Sequence, residues 1–190
     1  MLVIASDGSG ESNKKSIAAG FGVVVYDTET QLQDTYSGFI LRNEISSAKI
    51  VNGKLTFTYT DVSAPASNNR GELCGLLFAV LLAKESGITE FLSVMDTKYG
   101  IGIFREGGWL ENWRANGITD KKNMDIINLI EQYKVGVKIT YFHQRAHLTN
   151  REIQRLEGMD RIYAELNALA DTQAKVGKID AEKLNVKRAR

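Results

Sequence analysis

A long apolar run, LCGLLFAVLLA at residues 73–83, constrains the fold more than any other feature of the sequence. It follows SNNRGE and stops shortly before Gly87, which predicts a helix over about 69–85 that is buried on nearly every side. Glu72 therefore lies near the start of a buried helix. Asn69 and Glu72 have the spacing of a capping box, and an early acid suits the helix dipole, so capping is one explanation for this carboxylate.

Strands and helices along the rest of the chain predict an α/β domain. Three strands come first, in LVIAS, AAGFGVVVYD and QLQDTYSGFI, and two later strands lie in TEFLSVMD and VGVKITYFH. We expect the first three to be antiparallel and the later two to add parallel strands, giving a mixed central sheet flanked by helices. The last helix covers about 150–175, and 190 residues suffice for one such domain.

Two segments of the predicted domain, which spans 1–175, are interpreted as insertions. Residues 43–66 contain KIVNGKLTFTY, which predicts a hairpin that turns at 52–53 because Asn-Gly favours a type I′ turn. Residues 148–165 predict an additional helical segment before the end of the last helix. Residues 176–190 are expected to form a basic, solvated tail that could contact phosphates, since six basic residues from Lys175 onward oppose two acids.

Composition limits the classes of function. The net charge is only +1, so the molecule as a whole does not attract nucleic acid strongly. The single cysteine, Cys74, has no disulfide partner and is interpreted as a core residue, which fits a reducing compartment. No apolar run reaches the ~18 residues of a membrane span, and MLVIASDGSG lacks the basic start of a signal peptide. We therefore expect a soluble, cytoplasmic monomer that does not enter a membrane.

Four carboxylates call for an explanation. Asp7 and Asp96 each end a predicted strand, and the carboxyl edge of an α/β sheet is where ligands bind. Asp171 lies on an Ala/Leu-rich helix, four residues after Asn167. Each acid alone could be a turn or cap residue, but if these three meet Glu72, the like charges must be relieved by protonation or by cations. An all-oxygen ligand set suits Mg²⁺ or Mn²⁺ better than zinc.

Six short motifs, in order, resemble those of the type 1 ribonuclease H family. They are SDGSG with AGFGVVVY, SNNRGE before the apolar helix, DTKY after a strand, WLENWRANG, KKNMD, and NALAD near the end. Each motif is weak alone, but together they cover most of residues 2–175. The second motif departs from the family only at Ser67, where the family has Thr.

The resemblance implies a ribonuclease H-like fold and an endonuclease that hydrolyses the RNA strand of RNA–DNA hybrids, leaving 5′-phosphate and 3′-hydroxyl ends. It also implies two Mg²⁺ ions per site, replaceable by Mn²⁺, that clamp the scissile phosphate. Capping would then be at most a second role for Glu72. The implied catalytic, metal-binding acids are Asp7, Glu72, Asp96 and Asp171.

The resemblance further implies contacts to the hybrid. Amide side chains would read the 2′-hydroxyls of the RNA strand in its shallow minor groove, and other groups would hold the DNA strand. Asn13 fits this role and that of a cap equally well, and we expect Trp109 to be a core residue. The matching positions are Asn13, Asn68 and Asn69 for the RNA strand, and Ser67, Trp113 and Asn123 for the DNA strand.

The chain departs from the family at the histidine loop. The family's histidine lies about ten residues before the last aspartate in a Gly-His-x-Gly turn, whereas YFHQRAHLTN has no glycine. Alignment from the preceding strand gives His147 the catalytic role, in product release or proton transfer, and leaves His143 structural. His147 lies 24 residues before Asp171. Basic residues that could substitute for it are Arg145, Arg151 and Arg155.

Two other functions remain open at this point. A DNA-junction resolvase would use a similar carboxylate–metal site on a related sheet, but the adjacent Asn68 and Asn69 would then have no 2′-hydroxyl to read. An inactive module that only binds hybrid is the other alternative, and the presence of all four acids disfavours it.

Overall fold

The computed structural model describes residues 1–11 and 16–188, with side chains up to residue 184. The helices and strands in chain order are β1 (Leu2–Gly10), β2 (Ala18–Asp27), β3 (Gln33–Leu41), β4 (Ile45–Val51), β5 (Lys54–Tyr59), α1 (Asn68–Glu85), β6 (Glu90–Met95), α2 (Lys98–Phe104), α3 (Trp109–Ala115), α4 (Met124–Tyr133), β7 (Lys138–His143), α5 (Asn150–Ile153) and α6 (Gly158–Arg188). No helix among the described residues is long and apolar enough to cross a membrane.

Five strands form a mixed sheet in the order β3-β2-β1-β6-β7. The β1–β2 and β2–β3 pairs are antiparallel, whereas β1–β6 and β6–β7 are parallel. Helix α1 packs on one face of the sheet and α6 on the other, because alternate residues of each strand point to opposite sides. The mixed α/β fold predicted from the sequence is confirmed.

Strand β1 is longer than predicted. It continues through Asp7 to Gly10 because these residues pair with Gly22 to Ala19 of β2. The sequence SDGSG is therefore a strand and not a turn. This extension places Asp7 within the sheet, where hydrogen bonds on the β2 side fix its backbone.

Helix α1 confirms the prediction of a buried helix to within one residue. Thirteen of its 18 residues are buried, including Cys74, and Gly87 follows its end with φ of 68°. Ser67 is the N-cap residue, and its side chain makes no capping hydrogen bond. The alternative in which Asn69 and Glu72 form a capping box is wrong, because α1 begins at Asn68 and Glu72 lies in its second turn, where it accepts a hydrogen bond from Asn68.

Helix α6 crosses the sheet on a path of small residues. A Cβ atom on Gly22 would lie 2.1 Å from the Ala170 carbonyl oxygen, and one on Gly177 would lie 2.0 Å from the carbonyl oxygen of Gly38. Both distances are far below any van der Waals contact, so helix backbone rests directly on strand backbone. Glycine at positions 22 and 177 therefore allows α6 to lie directly on β2 and β3, and a larger residue at either position would push the helix away from the sheet.

The predicted C-terminal tail is wrong over 176–188, which continues α6. Gly177 and Ala181 face the sheet and are buried, so this segment is held by packing despite its charge. The prediction missed this packing because basic residues dominate the segment; Lys175 and Lys183, for example, are exposed on the outer face of the helix. Residues 189–190 lie outside the described part of the chain.

The segment at 148–165 is helical but interrupted. Thr149 and Glu152 form a capping box that starts the short helix α5. Helix α6 then begins at Gly158, whose φ of 56° marks the break between the two helices. The single helix expected from 150 onward is thus two.

The hairpin predicted within 43–66 forms as a separate two-stranded sheet of β4 and β5. Its turn residues Asn52 and Gly53 have φ of 50° and 71°, as a type I′ turn requires. Ile45 and Ala48 of β4 are buried in the core that includes α1 and α4. The hairpin is therefore an integral part of this layer.

Candidate active site

Three carboxylates meet where β1, β6 and α1 come together. The parallel register sets Ala5 opposite Val94, so two residues further along Asp7 lies beside Asp96. Glu72 approaches them from the second turn of α1. One oxygen of each carboxylate lies within 4.8 Å of the other two, and Asp7 and Glu72 are buried.

Hydrogen bonds from neighbouring groups hold two of these acids. The Asn68 Nδ2 donates to Glu72 Oε1 at 2.7 Å, and Asn68 Oδ1 accepts from the Gly10 N–H at 3.2 Å. The Gly8 N–H donates to Asp7 Oδ1 at 2.6 Å. The remaining oxygen of Glu72, Oε2, is buried and has no hydrogen-bond partner among the described residues. An unpaired carboxylate oxygen beside two further carboxylates fits a hard divalent cation, which prefers oxygen ligands.

Burial and mutual repulsion raise the pKa of all three acids. Burial is the largest cause for Asp7, whose pKa rises to about 8 with a further contribution from the charge of Asp96. The pKa of Glu72 rises to about 7, again mainly through burial, while the Thr97 hydroxyl and the Asn68 amide lower it. The pKa of Asp96 is raised by burial. Without a cation the cluster thus retains protons near neutral pH, and a divalent ion that binds there would displace them.

Asp171 faces the same space from α6 but is held by a lysine. The Lys175 Nζ donates to Asp171 Oδ2 at 2.5 Å, one helical turn further along. Asp171 lines a cavity of about 500 Å³ together with the three clustered acids, but it is not one of the three within 4.8 Å. Its Oδ2 atom could coordinate a metal shared with the other acids by exchanging Lys175 for the ion.

His147 lies at the edge of this cavity and is exposed to solvent. Its φ of 51° is unusual for a residue other than glycine, since this left-handed region disfavours a Cβ atom. His143 instead contacts the carbonyl oxygen of Asp96 through Nε2 at 3.2 Å. Of the two histidines, His147 is the one whose ring borders the acidic cavity. Arg145 is paired with Glu152 at 3.5 Å.

The amino end of α1 carries three of the residues matched to substrate contacts. Asn68 uses both ends of its amide within the protein, as described above. Asn69 is exposed, and Ser67 is half-buried with its backbone paired to Glu11 in an isolated bridge. Asn13 lies in the segment 12–15, outside the described residues.

A second polar surface lies between α2, α3 and the start of α4. The Asn123 Nδ2 donates to Tyr99 Oη at 2.9 Å. Trp113 is half-buried, and the Lys121 Nζ lies 5.7 Å from the centre of its ring. Trp109 was expected in the core, which is wrong, because it is 40% exposed although its ring packs against Tyr99. Trp109 is the first residue of α3 and follows the N-cap residue Gly108, whereas the next residue, Leu110, is the one that is buried.

Sequence analysis assigned no role to Arg70 and Asp125, which form a buried ion pair in the structure. Arg70 is 1% exposed, and both of its terminal nitrogens donate to the carboxylate of Asp125, at 2.8 and 2.7 Å. An arginine next to a long apolar run was the one available signal. Its partner, 55 residues away, could not be found from local pattern.

Solved structures similar to this chain include several ribonuclease H domains. No family model matches the sequence, and no curated protein matches it significantly. The N-terminal RNase H domain of a Mycobacterium tuberculosis protein is 18% identical, with a TM-score of 0.51 and coverage of 97% of this chain and 99% of that chain. LC11-RNase H1 in complex with an RNA/DNA hybrid is 17% identical, with a TM-score of 0.53 and coverage of 95% and 99%. The PFV RNase H domain is 20% identical, with a TM-score of 0.57 and coverage of 94% of both chains.

These similarities establish the fold. The chain has the ribonuclease H fold over nearly its whole length, as the resemblance of its motifs implied.

Proposed function

We propose that this protein is a metal-dependent endoribonuclease that hydrolyses the RNA strand of RNA–DNA hybrids. The observation that carries the proposal is the cluster of Asp7, Glu72 and Asp96 at one cavity of a ribonuclease H fold, with one buried Glu72 oxygen that makes no hydrogen bond among the described residues. The similar LC11-RNase H1 structure contains an RNA/DNA hybrid, which supports a hybrid as the substrate.

The acids would hold Mg²⁺, with Mn²⁺ able to replace it. Asp7, Glu72 and Asp96 would be the first ligands, and Asp171 would be the fourth after exchanging Lys175 for the metal. Two ions bound there would supply positive charge at the scissile phosphate and lower the pKa of the attacking water, giving 5′-phosphate and 3′-hydroxyl products. The raised pKa values of Asp7 and Glu72 mean that metal binding would release protons near neutral pH.

The chain's own residues would orient this chemistry. Asn68 fixes the carboxylate of Glu72, and the Gly8 N–H fixes that of Asp7, so both oxygens are placed before any ligand arrives. The imidazole of His147, exposed at the cavity edge, would exchange a proton with the leaving oxygen or assist product release. Freed from Asp171, Lys175 would remain as a cation beside the phosphate.

The residues matched to the family's substrate contacts would read the two strands separately. Asn69, exposed at the start of α1, would hydrogen-bond a 2′-hydroxyl of the RNA strand, and the motif resemblance gives Asn13 the same role. The DNA strand would lie against Ser67, Trp113 and Asn123, where the nearby Lys121 adds positive charge for a phosphate. Asn68 is already engaged, so its contribution would be to hold Glu72.

Cleavage of four labelled substrates tests the proposal. They are RNA–DNA, RNA–RNA and DNA–DNA duplexes and a four-way DNA junction, each with Mg²⁺ and with Mn²⁺. The wild type, Asp96→Asn and Asp61→Asn are compared, the last being an exposed acid that does not line the cavity. We expect cutting of the RNA strand in the hybrid alone, lost in Asp96→Asn and retained in Asp61→Asn.

Each other outcome has a definite meaning. Cutting of the junction alone would replace the proposal with a resolvase activity. Binding of the hybrid without cutting by either metal would leave an inactive binding module. Equal activity of Asp96→Asn and the wild type would place the active site elsewhere.

A further inference from the structure

The guanidinium of Arg70 joins three separate parts of the chain. It donates to both oxygens of Asp125, and Nη2 also donates to the Asn43 carbonyl oxygen at 3.1 Å. The Oδ2 of Asp125 in turn accepts the Ile45 N–H at 2.9 Å. One buried ion pair thus connects the start of α1, the start of α4 and the base of the β4–β5 hairpin.

The hairpin is fastened along the length of α4. Its base is closed by Asn43, whose Nδ2 donates to the Thr60 carbonyl oxygen at 2.8 Å. Further along, the Tyr133 Oη at the end of α4 donates to the Ala48 carbonyl oxygen at 3.1 Å. Strand β4 therefore runs from the start of α4 towards its end.

The same network lies one step from the acidic cluster. Arg70 precedes Glu72 by two residues in α1, so it anchors the first turn on the α4 side while Asn68 anchors it to β1. On the other helix, Asp125 follows Asn123, the residue bonded to Tyr99, by two positions. Any shift of the ion pair would move both the Glu72 carboxylate and the Asn123–Tyr99 surface.

A buried ion pair is a poor means of stabilising a fold, because removing two charges from water costs about as much as their attraction returns. The planar guanidinium nevertheless fixes direction as well as distance, through two parallel hydrogen bonds to one carboxylate. The advantage of Arg70 and Asp125 over apolar residues of the same size is therefore that they fix the relative orientation of α1 and α4.

We propose that the hairpin at 43–62 is a brace for the metal site, which acts through Arg70 and Asp125 to position Glu72. Arg70 and Asp125 are then positioning residues and do not touch the substrate. The inference rests on the proposed metal site at Asp7, Glu72 and Asp96.

Three variants test the brace in the full chain. Asp125→Asn breaks the ion pair, and Asn43→Ala loosens the hairpin base without removing a buried charge. Glu131→Gln is the matched control, because Glu131 lies on the same helix α4 and its ion-pair partners are Arg114 of α3 and Lys134, neither of which belongs to the hairpin. Each protein is measured for Mn²⁺ affinity by calorimetry, for kcat and KM on an RNA–DNA hybrid, and for its urea midpoint.

We expect Asp125→Asn to weaken Mn²⁺ binding by about tenfold, the effect typical of residues that orient metal ligands. Its kcat should fall with little change in KM, and Asn43→Ala should shift Mn²⁺ affinity in the same direction by a smaller factor. Glu131→Gln should lose stability while its Mn²⁺ affinity stays that of the wild type.

The inference is overturned if Asn43→Ala and folded Asp125→Asn bind Mn²⁺ as the wild type does. It is also overturned if Glu131→Gln weakens Mn²⁺ binding as much as they do, since general destabilisation would then explain the effect. A wild type that binds no Mn²⁺ would instead refute the proposed metal site itself, which distinguishes the two failures.

Discussion

Asn68 donates a hydrogen bond to Glu72 one helical turn later, at 2.7 Å between Nδ2 and Oε1. The other end of the same amide is bonded to the Gly10 N–H in β1. The side chain that the motif resemblance assigned to the RNA strand is thus committed to the protein. Its neighbour Asn69 is exposed and free to face a ligand.

The two adjacent asparagines should therefore differ in kinetic effect. Asn68→Ala should raise the Mg²⁺ concentration needed for half-maximal cleavage by about tenfold, because Glu72 loses its orienting partner. It should also cost on the order of 1 kcal/mol of stability through the lost hydrogen bonds. Asn69→Ala should raise KM for the hybrid and leave the Mg²⁺ dependence unchanged. Steady-state cleavage over a Mg²⁺ series checks both, and identical behaviour of the two variants would contradict the assignment.

Neutralising one acid should stabilise the protein in the absence of metal. Asp7 is buried beside Asp96, and its raised pKa reflects the cost of holding that charge. Asp7→Asn keeps the shape and removes the charge, so at pH 8 and in EDTA its free energy of unfolding should rise by about 1–3 kcal/mol. Hybrid cleavage should be lost in the same variant. Urea unfolding and cleavage are measured together, with Asp61→Asn as the surface control, and a less stable Asp7→Asn would argue against repulsion at the site.

The metal-free protein should lose stability as the pH rises. An acid whose pKa is higher in the folded state binds more protons when folded, so its carboxyl group contributes fully below its unfolded pKa and that contribution is lost as the pH rises through the folded value. For Asp7 this window extends from about 4 to about 8, and for Glu72 to about 7. Urea midpoints in EDTA should therefore fall between pH 5 and pH 9.

Saturating Mg²⁺ should remove much of that fall, because the ion binds the ionised folded state. Glu72→Gln and Asp7→Asn should each flatten the pH profile. A profile in EDTA that is flat for the wild type would mean that the cluster carries little electrostatic strain.

Enlarging one glycine beneath α6 should be far more damaging than enlarging a glycine elsewhere. A methyl group on Gly22 would collide with helix backbone, so Gly22→Ala should cost about 3 kcal/mol and displace Asp171. Gly100→Ala is the control, since its new atom would be crowded by the flexible end of Met95, at 2.8 Å, and would otherwise make an ordinary contact with Thr97 at 3.7 Å. Urea unfolding compares the two variants, and a Gly22→Ala protein as stable as Gly100→Ala would contradict the close packing of α6.

Local sequence pattern was sufficient for the elements with strong periodicity. The apolar run of α1 set its limits to within one residue, and Asn52-Gly53 specified the hairpin turn because few dipeptides adopt positive φ at both positions. What these elements share is that their conformation is decided by residues close in the chain.

Long-range contacts decided the features that the sequence did not reveal. Strand β1 extends to Gly10 because β2 continues to pair with it, which SDGSG alone cannot show. The end of α6 was taken for a tail because its lysines dominated the pattern, while the informative residues were Gly177 and Ala181 against the sheet. Lys175 also pairs with Asp171, and residue spacing alone could not predict whether Asp171 binds Lys175 or joins the other three acids.

The contact between α6 and the sheet makes this helix a fixed reference for measuring motion elsewhere. With no side chains to rearrange between Gly177 and Gly38, a spin label at exposed Asp180 would move with the sheet as one body. Distances from such a label to a labelled nucleic acid would therefore report displacement of the ligand alone. Distances from the same label to the loop at 145–149 would report the loop alone, so the two movements could be timed independently in one molecule.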